Sequence, residues 1–221
     1  MSNGFPGKPK ILRGAFVEYG LSFPPLIVVF QFNPVQLSRN RSLSYAAPGG
    51  TELRRLHRQE KNLGDLQKLQ VATVQEQTIA FDIRLDASDA LDDENTVAEQ
   101  FGISPQIGTL ELMVLPKEES LLGSLVNLVS GSASGFSFTK IPRPPLVLFV
   151  FGRKRVLPVN ILGLNVTETA FSADLNPIQA TVSVNLTVIE GRNVPYQYSR
   201  AMTEAMSALN IADVADVVVP G

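Results

Sequence analysis

The sequence predicts a β-rich α+β fold, a β-sandwich or barrel with flanking helices. Three observations carry that prediction. In the first, Ile178, Ala180, Val182, Val184, Leu186 and Val188 alternate with Gln179, Thr181, Ser183, Asn185 and Thr187. A period of two marks a strand with one apolar and one polar face. At about 3.3 Å per residue, Ile178 to Ile189 runs roughly 40 Å, well beyond an ordinary strand. In the second, Ile79, Phe81, Ile83 and Leu85 alternate over Thr78 to Leu85, with Asp82 and Arg84 on the other face. In the third, Leu146 to Phe151 (LVLFVF) is a continuous apolar run and reads as a strand buried on both faces. It leads through a basic turn, Gly152 to Arg155, into a long strand from Val156 to Phe171, bent at Gly163. Asp174 to Pro177 connects that strand to the return strand.

The polar face of the return strand bears on function. Gln179, Thr181, Ser183, Asn185 and Thr187 carry no charge, whereas a solvated strand face is expected to carry Lys or Glu. A long strand with a neutral polar face, beside another long strand, suits a sheet that continues into further copies. These five residues are therefore the predicted inter-subunit strand face, and they point to an assembly protein, not an enzyme.

The remaining elements follow in chain order. Residues 1–10 read as a Gly-, Pro- and Lys-rich arm, and Ile11 to Tyr19 as a first strand. After Pro24-Pro25, Leu26 to Phe32 (LIVVFQF) reads as a buried strand that stops at the Asn33-Pro34 turn. Ser42 to Tyr45 reads as a short paired strand after the basic pair Arg39 and Arg41. Residues 52–70 have partly helical leucine spacing that Gly64 interrupts, which suggests a mobile or partner-dependent segment. Asp89 to Gln100 reads as a helix whose first turn holds Asp92, Asp93 and Glu94. A second helix starts with Ser104 as N-cap and Pro105 at the first helical position, and buries Ile107, Leu110, Met113 and Val114. Residues 117–141 are irregular, with Leu121, Leu122 and Leu125 followed by a Gly/Ser-rich tip. Tyr196 to Leu209 reads as a helix. The chain divides into one domain over 1–193, with insertions at 46–75 and 117–141, and a C-terminal helix and tail over 194–221.

With 221 residues, 44% hydrophobic and 18% charged, the chain can fill a core. A net charge of −2 gives no bulk affinity for nucleic acid, so none is expected as a partner. The absence of cysteine excludes disulfides and thiolate metal sites, and a single histidine, His57, excludes multi-histidine sites within one chain. No apolar leader is read at the N-terminus, and Leu26 to Phe30 and Leu121 to Val129 are too short to span a bilayer. Assembly in the cytoplasm without direct membrane insertion is the expectation.

No catalytic, cofactor-binding or metal-binding residues are predicted. His57 lies among Arg54, Arg55, Arg58 and Lys61 with no nucleophile motif nearby. The acids from Asp82 to Glu94 lack the glycine and terminal glutamate spacing of a calcium loop. The basic residues have aromatic company only in Tyr45, too little for a nucleic-acid groove. Contact with an acidic surface of another copy, supplied by residues 82–99, is at least as good a reading. Arg54, Arg55, Arg58 and Lys61, with Leu121, Leu122 and Leu125, are the predicted docking segments.

Three runs carry a resemblance: PPLVLFVFG, RVLPVNILGLNVTETAF and LNPIQATVSVNLTVIE. They resemble the core of the tube and baseplate-hub proteins of contractile injection systems, the phage-tail-like particles. FQFNP followed by SRNRSLSY resembles the same family's opening strands. The likeness covers about residues 25–46 and 144–190. It implies a tail-tube-like fold and a hexameric ring whose strands join those of its neighbours into an inner barrel. The members most similar in these runs are tube initiators, rings between the spike hub and the first tube layer. Several carry a LysM-like domain, which is not seen here. The resemblance implies partners: further copies of the chain, a spike or hub protein, the inner tube protein and other baseplate proteins. It also implies a place in a particle that acts inside the cell or after release. The alternatives are the inner tube subunit itself and a β-sandwich ligand-binding module. The module reading expects exposed aromatic platforms, yet tryptophan is absent.

Overall fold

Alternation of apolar side chains along the two longest strands decides which way the sheet faces, and the rest of the chain packs on that face. A computed structural model of the chain describes residues 12–20, 25–50, 52–115 and 144–210. Its strands are β1 (Ala15–Glu18), β2 (Ile27–Val29), β3 (Leu37–Asn40), β4 (Leu43–Ala46), β5 (Val71–Val74), β6 (Thr78–Asp86), β7 (Val147–Val150), β8 (Val156–Phe171) and β9 (Pro177–Val188). The helices are α1 (Leu53–Gln59), α2 (Leu63–Leu69), α3 (Ser88–Asp92), α4 (Thr96–Phe101), α5 (Ser104–Val114) and α6 (Val194–Asn210). Seven strands form one antiparallel sheet in the order β2-β1-β7-β8-β9-β6-β3, and β4 and β5 pair apart from it.

The sheet is rolled around its own core. Phe16 on β1 and Phe81 on β6 belong to strands four places apart, about 19 Å in a flat sheet. Their rings lie 6.1 Å apart and stacked. Phe30 and Phe149 complete a cluster in which every ring pair has centroids within 6.4 Å. Ile79, Ile83, Val182, Val184 and Leu186 extend this core along β6 and β9. Helix α5 adds Ile107, Leu110 and Met113, preceded by Ile103, and lies against β2 and β8.

The expectation of a closed barrel needs correction: the seven-stranded sheet is open. Its edge strands, β2 and β3, do not pair with one another. Periodicity specifies the inward face but not whether the edges meet. Residues 30–36 run from one edge to the other, and side chains hold this crossing in place. Gln31 Nε2 donates to the Asp86 carbonyl at 2.6 Å, and the Asp86 N–H donates to Gln31 Oε1 at 2.9 Å. Asn33 Oδ1 accepts from the Gly14 N–H at 2.9 Å, and its Nδ2 donates to the Leu12 carbonyl at 2.8 Å.

Several local expectations also change. The run at 26–32 is buried on one face only: Leu26, Val28 and Phe30 point inward, while Ile27 and Val29 are exposed as on an edge strand. In β7, Val147 and Phe149 are buried but Leu148 and Val150 are only half-buried, so its second face is not core. The helical segment 52–70 breaks at Glu60–Asn62, not at Gly64. The backbone of Glu60 is extended, and Asn62 caps α2 by accepting from Gly64 N–H. Asp92, Asp93 and Glu94 end α3 instead of starting a helix, and Asn95 caps α4. The N-cap of α5 is Ile103, which makes Ser104 the first helical residue and places Pro105 one position further in. The predicted β8–β9 hairpin is observed, and its register shifts between Ile161 and Gly163, next to the expected bend.

Candidate functional site

The outward face of β8, β9, β6 and β3 is a broad polar surface. Its rows follow from the register. Asn165, Ser183 and Asp82 stand side by side, as do Thr167, Thr181 and Arg84, and Gly163, Asn185 and Ala80. Ser38 on β3 continues the last of these rows, and Asn40 stands beside Thr78. Of the five predicted face residues, Thr181 and Asn185 are exposed and Gln179 and Ser183 half-buried. Thr187, between Asn160 and Thr78, is only 9% exposed and offers little to a neighbour.

The neutrality of β9 does not extend to β6, which adds Asp82, Arg84 and Asp86 in alternating sign. Gln179 Nε2 donates to Asp86 Oδ2 at 2.9 Å, so part of the predicted face is engaged within the chain. The Ser88 hydroxyl and then its N–H hold the Asp86 carboxyl below its ordinary pKa, with smaller help from Gln179 and Arg84. Beside this corner, Phe32, Val35 and Gln36 of the crossing segment border a hollow of about 670 Å³.

The second feature is a ribbon arm. Strands β4 and β5 pair in register from Leu43↔Val74 to Ala46↔Val71, and every residue of both strands is exposed. Helices α1 and α2 lie at the turn end of the ribbon. Leu43, Tyr45, Val71 and Val74 are each about half exposed despite being β-formers. Arg54, Arg55 and Arg58 lie on α1 and Lys61 just after it, all solvent-facing. His57 Nε2 lies 2.6 Å from Gln70 Nε2, which ties α1 to the end of α2. The four basic residues predicted for docking thus lie together on the arm. Leu121, Leu122 and Leu125 lie outside the described residues.

Strands β3 and β5, and the pairing roles of Gln31 and Asn33, were missed in the sequence. The strand pair β4–β5 is legible only once Ser42 to Tyr45 is matched with Val71 to Val74 across two helices. Among the described residues, no group of three or more acidic or histidine side chains is placed to hold a metal ion. No described helix is long and apolar enough to cross a membrane. Fold and surfaces together define a mixed α+β protein whose open features are a long-stranded polar sheet face and a projecting ribbon. No protein-family model matches the chain, and no curated protein matches it.

Proposed function

We propose that the chain is a structural component of a contractile injection system, a tube-initiating or baseplate-hub adaptor ring that joins the spike complex to the inner tube. The observation that carries this reading is the arm. A two-stranded ribbon is marginal by itself in water, and in this one Leu43, Tyr45, Val71 and Val74 are each about half exposed among the described residues. Such an element gains its stability from a neighbour. The long polar face of β8 and β9 supports the same reading, as does the likeness of residues 25–46 and 144–190 to that family.

In this mechanism the ring is a template. The arms cross onto adjacent copies and close the ring, so that no sheet edge is left free. One side of the ring seats on the spike, and the other presents tube-like edges from which the tube polymerises. Arg54, Arg55, Arg58 and Lys61 set register against acidic partner surfaces, a role in which charge selects partners more than it adds affinity.

Imaging of purified particles tests the proposal. The expected result is one sixfold ring of this chain between spike and first tube layer. Its presence in every layer would make it the tube subunit instead. A position outside the tube axis, or assembled particles from a strain lacking the gene, would refute the initiator role.

A further inference from the structure

A groove of about 930 Å³ opens between α6, the β7–β8 turn and the far end of β3. Its lining is apolar at Phe151, Leu157 and Met202 and basic at Arg39, Lys154 and Arg155. The one acid among its described lining residues, Glu190, is taken: it accepts from Arg41 at 2.6 Å and from the Tyr196 hydroxyl at 3.1 Å. Among the described residues, no carboxylate lies within ion-pair reach of Arg39, Lys154 or Arg155. Lys154 Nζ meets only the Met206 sulfur, a weak acceptor, at 3.1 Å. The Arg155 guanidinium sits 5.6 Å from the Phe151 ring centre, and burial, then the charge of Arg39, lower its pKa. Like charges gathered against an apolar wall are costly until an anion joins them.

The sequence supplies a match for both halves of this lining. Directly after α6 the chain reads IADVADVVVPG over residues 211–221, with Asp213 and Asp216, a run of valines and no basic residue. Residues 204–210 of α6, which lead into it, are all exposed. An extended segment of that length reaches about 35 Å, whereas the helix from Ser199 to Asn210 rises only about 16 Å, so the segment can turn back along α6. We propose that the groove is the docking site of the chain's own segment 211–221, its two aspartates on the basic rim and its valines over Phe151 and Met202. The apolar lining favours this peptide over a phosphate polyanion, which has nothing to set against Phe151 and Met202. The contact goes beyond assembly and holds whether or not the ring forms.

The chain has no cysteine, so engineered pairs report cleanly. The test uses the full chain with Met202→Cys and Val217→Cys under mild oxidant, compared with Thr181→Cys and Val217→Cys, whose first site is on the outer polar face. The groove pair is expected to crosslink within one chain at least roughly tenfold faster than the control pair, as preferred docking worth one decade requires. Arg39→Gln with Arg155→Gln, or Asp213→Asn with Asp216→Asn, should bring the rate down towards the control. Added salt should slow the groove pair alone, which keeps the test decisive if Arg155→Gln fails to fold. Equal rates for the two pairs, or a groove rate indifferent to both salt and charge removal, would overturn the proposal. So would crosslinks found only in disulfide-linked dimers, which would assign the groove to another copy's segment.

Discussion

Replacing Gln31 tests how the open sheet is held. Its carboxamide does what a backbone does in a ladder, accepting from the Asp86 N–H and donating to the Asp86 carbonyl. Asp86 ends β6, whereas β3 pairs with that strand only as far as Phe81. Gln31→Ala removes both bonds and leaves two part-buried groups to water or to nothing. At about 1 kcal/mol net per bond, the loss is about 2 kcal/mol. With a urea m-value near 2 kcal/mol/M, the unfolding midpoint should fall by about 1 M. Gln31→Glu sharpens the test. An ionised carboxylate accepts from the Asp86 N–H but faces the carbonyl oxygen with no proton. The protonated acid makes both contacts, so the folded state raises the pKa of this carboxyl above its unfolded value. Its contribution is then fully present below the unfolded value and is lost as pH rises through the folded one. The gap in stability between Gln31→Glu and the parent should therefore be wide near pH 7 and narrow near about pH 4. Urea melts of the three proteins at both pH values decide it. A cost below about 0.5 kcal/mol for Gln31→Ala, or a pH-independent gap for Gln31→Glu, would refute the seam argument.

Further outcomes follow from the core and the corners. Val184, central on the inward face of β9 and almost fully buried, should not tolerate Val184→Lys, whose unpaired charge costs about 4 kcal/mol or more; Ser183→Ala should stay within about 1 kcal/mol. Circular dichroism of the two variants checks this, and similar spectra and melts would invert the face assignment. Gly102 has φ 55°, and a β-carbon there would run into the Pro177 carbonyl oxygen, so Gly102→Ala should lose about 2–4 kcal/mol in chemical denaturation. The Asp86 carboxyl is held below its ordinary pKa by Ser88 first. Its stabilisation is thus present above the unfolded pKa and is lost as pH falls through the folded one. Asp86→Asn should be less stable than the parent at neutral pH, and acid titration of the two melts should make them converge.

Much of the sheet was legible because its signals are local. Thr78–Asp86 alternates strictly, β9 alternates through its middle, and the Gly163 bend in β8 marks an irregular register. What escaped reading depends on distant residues. The curl shows only when Phe16 and Phe81, far apart in the chain, are seen ring to ring. β3 (LSRN) has no apolar period and is a strand because β6 offers it a flank. β7 looked two-sided because LVLFVF is uniformly apolar, and only the packing shows that Leu148 and Val150 face outward. Of the candidate surfaces, the β9 face was readable residue by residue. The burial of Thr187 and the charges lent by β6 depend on neighbouring strands. The groove beneath α6 joins Arg39, Arg155 and Met202 from separate elements, and no local pattern links them.

The position of β1 has a consequence for how the chain acquires its structure. Phe16 pairs with Phe149, and β6, flanked by β3 on one side, finds its inner partner in β9. β1 has β2 on one side and β6 has β3 on one side, but the inner flank of each waits until most of the described chain has been made. Among the described residues, the only long pairing between neighbours in sequence is the β8–β9 hairpin, and it is made late, followed by α6. Closing such long loops before any contact rewards them slows folding, and apolar runs such as Leu26 to Phe30 stay open to misassociation meanwhile. Synthesis rate and chaperone supply, more than final stability, should then govern how much of this protein a cell obtains.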